Sequence, residues 1–173
     1  PYISVGYGRR LGKKIEYTEK ATSDFPLNKW LYNVFGMYSR NSVLPIGGKS
    51  YPVYGTGFSV RRYFGQRAGI EFDLDFISKQ VIFSYEPSIP KTQIDILQIG
   101  FYTAYLVPLN NFNFVLGMGV YLKDKFRTDT PIYTRIGCRY QFKNGLTSSF
   151  NLKTHFGRAD YLEFGLGYTF NYK

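Results

Sequence analysis

Apolar and polar residues alternate with a period of two along most of this chain. Near the end, Leu162, Phe164, Leu166, Tyr168, Phe170 and Tyr172 share one parity, and Glu163, Gly165, Gly167, Thr169 and Asn171 share the other. The stretch 111–122 repeats the pattern, with Phe112, Phe114, Leu116, Met118, Val120 and Leu122 set against Asn113, Gly117, Gly119 and Tyr121. At 66–77, Ala68, Ile70, Phe72, Leu74 and Phe76 oppose Glu71, Asp73 and Asp75. At 131–142, Ile132, Ile136, Cys138 and Tyr140 oppose Arg135 and Arg139. Successive side chains of a β-strand point to opposite faces, so each stretch reads as a strand with one apolar and one polar face. A slip of one residue would exchange the two faces, which specifies the register strongly.

Runs rich in Tyr, Phe, Val, Ile and Thr, bounded by Gly, Asn and Pro, predict eight strands at 29–40, 51–64, 66–77, 93–107, 111–122, 131–142, 145–156 and 160–172. Several exceed the usual length of globular strands and suit a tilted crossing of a bilayer, which takes about 9–11 residues. Short turns at Gly65-Gln66, 108–111 and 143–145 alternate with longer links at 41–50, 78–92 and 123–130. That alternation is the pattern of an antiparallel, outer-membrane-type barrel with short periplasmic turns and longer outer loops. It places the C-terminus in the periplasm and makes 155–160 an outer loop. Residues 80–85 are apolar enough to lie in the membrane interface or to prolong a strand. The barrel proper is expected over 29–173, and 1–28 is an N-terminal extension containing a further strand-like run at 2–8.

Composition agrees with a polar lumen and a lipid-facing exterior. The 173 residues include 17 Tyr, 16 Phe and 18 Gly, yet mean hydropathy is only −0.24. No apolar run approaches the ~18 residues of a membrane-spanning helix. Periodicity alone leaves open a soluble, lipocalin-like barrel with the faces reversed. Strand length, loop alternation and the aromatics near strand ends (Tyr140, Phe142, Tyr168, Phe170, Tyr172) favour the membrane barrel. The formal net charge of +10 comes with no nucleic-acid-binding motif, so nucleic acid is not expected, and an anionic membrane surface is the better partner. The opening PYISVGYG has no signal-peptide pattern, so an exported chain would be a mature or trimmed one. One Cys and one His exclude an internal disulfide and a multi-histidine metal site. No cofactor motif is present.

The stretches PIYTRIGCRYQF (131–142) and NLKTHFGRADYLEFGLGYTF (151–170) resemble the small outer-membrane acyloxyacyl hydrolases, the lipid A 3-O-deacylase family. The resemblance rests on a His at the top of the penultimate strand, a Glu early in the last strand and a Gly-x-Gly-Tyr after it. It implies an eight-stranded barrel in the bacterial outer membrane that removes an acyl chain from lipid A, using a His-x-Ser pair and a Glu. Carried over, it makes His155 and Glu163 the catalytic residues. Gly157 stands where the family has its nucleophilic Ser, and the link from His155 to Glu163 is short.

Other hydroxyls are poorly placed for that role. Ser149 is roughly 20 Å from His155 along the strand. Thr154 points to the opposite face, and Thr128 and Thr130 require the 123–130 loop to fold over. A water activated by His155 needs no protein nucleophile. Parity puts His155 and Glu163 on the lumen face, with Lys153 expected opposite Glu163 and His155 diagonal to it. Lys153, Asp160 and Tyr133 form the expected supporting polar cluster. The same residues, like Glu71, Asp73 and Asp75 against Arg61, Arg135 and Arg139, can equally be charges that cross-link a narrow lumen. Lys123, Lys125, Arg127 and Arg158 are candidate contacts to lipid phosphates, and also ordinary solvated loop charges. Three functions stay open, in this order: an ester hydrolase acting on lipid A or phospholipid; a non-enzymatic barrel that is structural, a homodimer or a subunit of a larger membrane assembly; and a soluble barrel carrying a small ligand.

Overall fold

The computed structural model describes residues 25–42, 48–85, 90–126 and 130–172. Within them the chain forms β1 (Trp30–Ser42), β2 (Ser50–Gly65), β3 (Ala68–Lys79), a 3₁₀ helix (Gln80–Ser84), β4 (Leu97–Leu109), β5 (Phe112–Lys123), β6 (Ile132–Gln141), β7 (Leu146–His155) and β8 (Arg158–Phe170). Each strand pairs antiparallel with the next, and β1 pairs with β8, which closes the barrel. All eight expected strands are present. The strand-like run at 2–8 lies outside the described residues.

The departures from expectation have local causes. Strand β4 begins at Leu97 because Asp95 closes a turn, its Oδ2 accepting from the Thr92 amide at 2.9 Å and the Thr92 hydroxyl at 2.8 Å. Residues 80–85 do not prolong β3. They turn into the 3₁₀ helix and bury Val81 and Ile82 against Ile96, Tyr51 and Phe126. The expected outer loop at 155–160 is only a two-residue turn, Phe156-Gly157. Both residues have positive φ, 47° and 84°, the handedness that suits a tight hairpin between twisted strands.

Parity decides what each face meets. Leu162, Phe164 and Leu166 point outward and are exposed, Leu166 at 73%. Their odd-numbered neighbours Tyr161, Glu163 and Gly165 point inward and are buried. Outward aromatics pair across strands, as in Phe150–Phe164, Phe72–Phe101 and Tyr38–Tyr54. A belt of apolar side chains on every strand has no counterpart inside the barrel to cover it, and a hydrocarbon surround is its natural solvent.

The lumen is filled in three layers. At the end carrying the short turns, Phe25 stacks on Tyr63 at 4.6 Å and meets Tyr172 edge-on, with Leu31 and Leu106 beside it in the core. The Asn28 amide donates to the Tyr63 carbonyl at 2.7 Å, so the chain folds back under the barrel and stoppers this end. In the middle, Glu71 takes a two-pronged contact from Arg139 (Nη1 to Oε2, and Nη2 to Oε1 at 2.7 Å). Arg61 lies 3.8 Å from the same carboxylate and donates to Gln141 at 2.7 Å and to Thr169. Arg135 bridges Asp75 at 2.5 Å and Glu163 at 2.9 Å. The cavity left among Asp73, Arg135, Arg139 and Glu163 is only about 20 Å³, so the interior is a packed polar core. At the end carrying the longer links lie Lys79, Lys153, His155, Asp160 and three tyrosines.

Two outcomes follow. Replacing Phe164 by Arg puts a charge midway along β8 on the lipid face, and refolding into phospholipid vesicles should show a loss of roughly 2–4 kcal/mol. Unchanged stability in lipid would contradict the outward assignment. Glu71→Ala leaves Arg61 and Arg139 facing an unpaired interior, and denaturant titration should show destabilisation of about 3–5 kcal/mol.

Candidate active site

The candidate site is assembled by the tight hairpin between β7 and β8. A register shift at Lys153/Thr154 lets His155 pair with Arg158 across the turn while its ring stays on the lumen side, 6% exposed. The positive φ at Gly157 lets the chain reverse within two residues, which brings Asp160 back beside the imidazole. His155 Nε2 lies 3.2 Å from Asp160 Oδ2. Asp160 is fixed from two further sides: Asn41 Nδ2 donates to Oδ1 at 2.5 Å, and Lys79 Nζ to Oδ2 at 2.7 Å. A carboxylate so held is an oriented acceptor for a proton on Nε2. The other nitrogen, Nδ1, faces the Ile132 carbonyl at 3.2 Å and the Thr130 hydroxyl at 3.5 Å.

Tyrosines wall this site. The Tyr121 ring stacks on His155 at 6.0 Å, and Tyr133 approaches it at 6.4 Å. Tyr133 fits against the wall because Gly119 and Gly100 leave the space that a Cβ would fill. The Lys153 ammonium sits 4.1 Å from the Tyr133 ring centroid and 4.8 Å from that of Tyr121, and donates to the Tyr161 hydroxyl at 3.3 Å. Aromatic faces here take the place of a carboxylate partner for a buried cation.

The residues expected to act together separate into two groups. His155, Asp160, Lys153 and Tyr133 meet at one end of the lumen. Glu163 does not join them: it stands opposite Asn151, and Lys153 stands opposite Tyr161. Asn151 is four residues below His155, about 13 Å of strand at roughly 3.3 Å per residue. The expected Lys153–Glu163 pairing fails because the turn is two residues long and the bulge above Lys153 shifts the register. Glu163 instead binds Arg135. Asn41, Lys79 and the Ile132 carbonyl complete the site, and no motif in the sequence singles them out. The parity of Lys79 puts it on the lumen face at the same end as His155, but only the folded register brings its Nζ to Asp160.

The candidate phosphate-binding cations are largely engaged within the protein. Lys125 donates to Asp95 Oδ1 at 2.6 Å, and Lys123 to the Ile94 carbonyl at 3.2 Å. The Lys125 contact, with the Thr92 amide and hydroxyl, holds the Asp95 carboxyl below the usual carboxylate range. Arg158 is exposed on the hairpin turn. Arg127 and Thr128 lie outside the described residues. Cys138 is a partly exposed free thiol on the outward face of β6.

Comparison with known proteins gives this geometry a context. No curated protein matches the chain. Among solved structures, the Yersinia pestis outer membrane protein Ail, determined as a backbone structure in a phospholipid bilayer nanodisc, is similar over 82% of this chain and 100% of that chain, at 12% identity and a TM-score of 0.43. The family described as acyloxyacyl hydrolase, C-terminal domain, matches residues 28–172, a span that takes in all eight strands. An eight-stranded closed barrel with a lipid-compatible exterior, matched over its whole length, belongs to the acyloxyacyl hydrolase family and is an integral protein of the bacterial outer membrane.

Proposed function

We propose that this barrel hydrolyses an acyl ester of lipid A, with His155 as general base and Asp160 as the carboxylate that orients it. The observation that carries this reading is the 3.2 Å contact between His155 Nε2 and Asp160 Oδ2, with Asp160 itself tethered by Asn41 and Lys79. A base held by an oriented third group is the arrangement that acyl transfer requires. The end of the barrel carrying the longer links and His155 faces the cell exterior, where lipopolysaccharide resides. His155 terminates its strand, so it lies near the depth at which a lipid's ester linkages meet its headgroup.

Electrostatics supports an anionic lipid as the substrate. Five basic side chains in the lumen (Arg61, Lys79, Arg135, Arg139, Lys153) face five acidic ones (Glu71, Asp73, Asp75, Asp160, Glu163). These cancel, so the described lumen residues contribute nothing to the formal net charge of +10, an excess of positive charge that attracts a phosphate-bearing surface. Glu163 serves in this scheme as a structural counter-ion to Arg135 rather than as the partner of His155.

A second reading, a barrel without enzymatic activity, is favoured by Gly157, which puts no hydroxyl two residues after the His. In that case His155 and Asp160 only tie the hairpin to the lumen.

Mass spectrometry of lipid A after incubation of lipopolysaccharide with the folded barrel separates the two. Hydrolysis predicts loss of one acyl chain and a rate reduced about 10²–10⁴-fold in His155→Ala, with Asp160→Asn impaired in the same direction. Intact lipid A beside folded protein, or cleavage that survives His155→Ala, would count against the enzymatic reading.

A further inference from the structure

We propose that Thr130 supplies the nucleophile to His155, a role that rests on the hydrolytic reading above. Among the described residues, Thr130 carries the one hydroxyl within hydrogen-bonding reach of the imidazole, its Oγ1 lying 3.5 Å from Nδ1. No other described hydroxyl bonds the imidazole; that of Tyr121 is buried without a hydrogen bond. Thr154 faces outward and bonds Thr134 at 2.5 Å, Tyr133 donates to Asp75 at 3.0 Å, and Tyr161 accepts from Lys153 at 3.3 Å. Thr130 is exposed, so an ester arriving from the membrane surface meets it before it meets the buried imidazole.

The position of Thr130 is constrained on both sides. It precedes Pro131, which restricts its backbone to extended conformations. The Pro131 carbonyl accepts from the Tyr121 amide at 2.9 Å, which ties this turn to β5. The Ile132 carbonyl then links the two functional groups, since it accepts from Thr130 Oγ1 at 3.0 Å and lies 3.2 Å from His155 Nδ1.

These contacts suit both halves of a proton transfer. For the transfer, the Thr130 hydroxyl turns its proton from the Ile132 carbonyl to the lone pair of Nδ1, while Nε2–H stays on Asp160. Thr130 Oγ attacks the ester carbonyl carbon while its proton passes to Nδ1. The imidazolium so formed donates Nδ1–H to the Ile132 carbonyl and Nε2–H to Asp160, so both ends of the cation are met. Collapse of the tetrahedral adduct breaks the bond to the lipid's alkoxide oxygen, which takes the proton from Nδ1 and leaves as the alcohol. Water then adds to the acyl-Thr130 ester, giving a proton to Nδ1. The carboxylic acid departs as Thr130 Oγ recovers that proton. A 3.5 Å donor–acceptor distance is long for a hydrogen bond, and such distances in sites without substrate shorten when substrate binds.

The test combines lipid A mass spectrometry with peptide mapping after treatment with an alkyl fluorophosphonate, which labels activated hydroxyls. The expected results are a phosphonyl adduct on Thr130 that is lost in His155→Ala, deacylation reduced at least a hundredfold in Thr130→Val, and activity retained in Thr130→Ser. Heat-modifiable mobility on gels verifies that each variant is a folded barrel. Full activity in Thr130→Val, with activity lost in His155→Ala, overturns the Thr130 assignment while leaving His155 as a base acting on water. Absence of deacylation by the unaltered chain overturns both.

Discussion

An ionised side chain moved into a dry interior costs several kcal/mol unless an opposite charge meets it in good geometry. Among the described residues this barrel encloses five acids and five bases, and the ion pairs that join Glu71, Asp75 and Glu163 to Arg61, Arg135 and Arg139 are the condition on which its closure depends. The pairs reach across the lumen rather than along the wall: Glu71 of β3 binds Arg139 of β6, Asp75 of β3 binds Arg135 of β6, and Arg135 binds Glu163 of β8. Backbone ladders join only neighbouring strands, so these ion pairs connect elements that the ladders do not. A one-residue slip of β3 or β6 would turn the same groups toward hydrocarbon, which reinforces the register from inside.

The same condition separates the two carboxylates of the last strand. Glu163 lies deep enough to balance Arg135, which already binds Asp75, and is occupied there. Asp160, nearer the strand end, is shared among Asn41, Lys79 and His155. Two carboxylates three residues apart thus have different work, one cross-linking the lumen and the other orienting an imidazole. The family resemblance points to a Glu beside the His, but the two-residue turn after His155 leaves Asp160 in that neighbourhood and Glu163 below it.

Most of the architecture was legible in the sequence because one physical rule generates it. Alternation puts Leu162 and Phe164 on one face and Glu163 on the other with no knowledge of neighbours, strand length and loop alternation then choose the outer face, and parity sets the acids of β3 with the arginines of β6. The site was less legible because it depends on register between strands. The bulge above Lys153 and the positive φ of Phe156, a residue not usually chosen for such a turn, have no period-two signal. Thr130 illustrates the limit: its approach to His155 comes from folding of a link between strands, where alternation carries no information.

The barrel wall is not uniformly sewn beside His155. Strands β1 and β8 share ladder pairs only from Tyr32–Phe170 to Tyr38–Phe164. Beyond that point the two edges are held by side chains, with the Ser39 hydroxyl on the Leu162 carbonyl and Asn41 on Asp160. Parting the edges there disrupts two side-chain bonds instead of a run of peptide hydrogen bonds. On the proposed hydrolytic reading, a lipid approaching sideways would meet fewer backbone hydrogen bonds at this seam, next to Asp160, than along the laddered part of the β1–β8 edge.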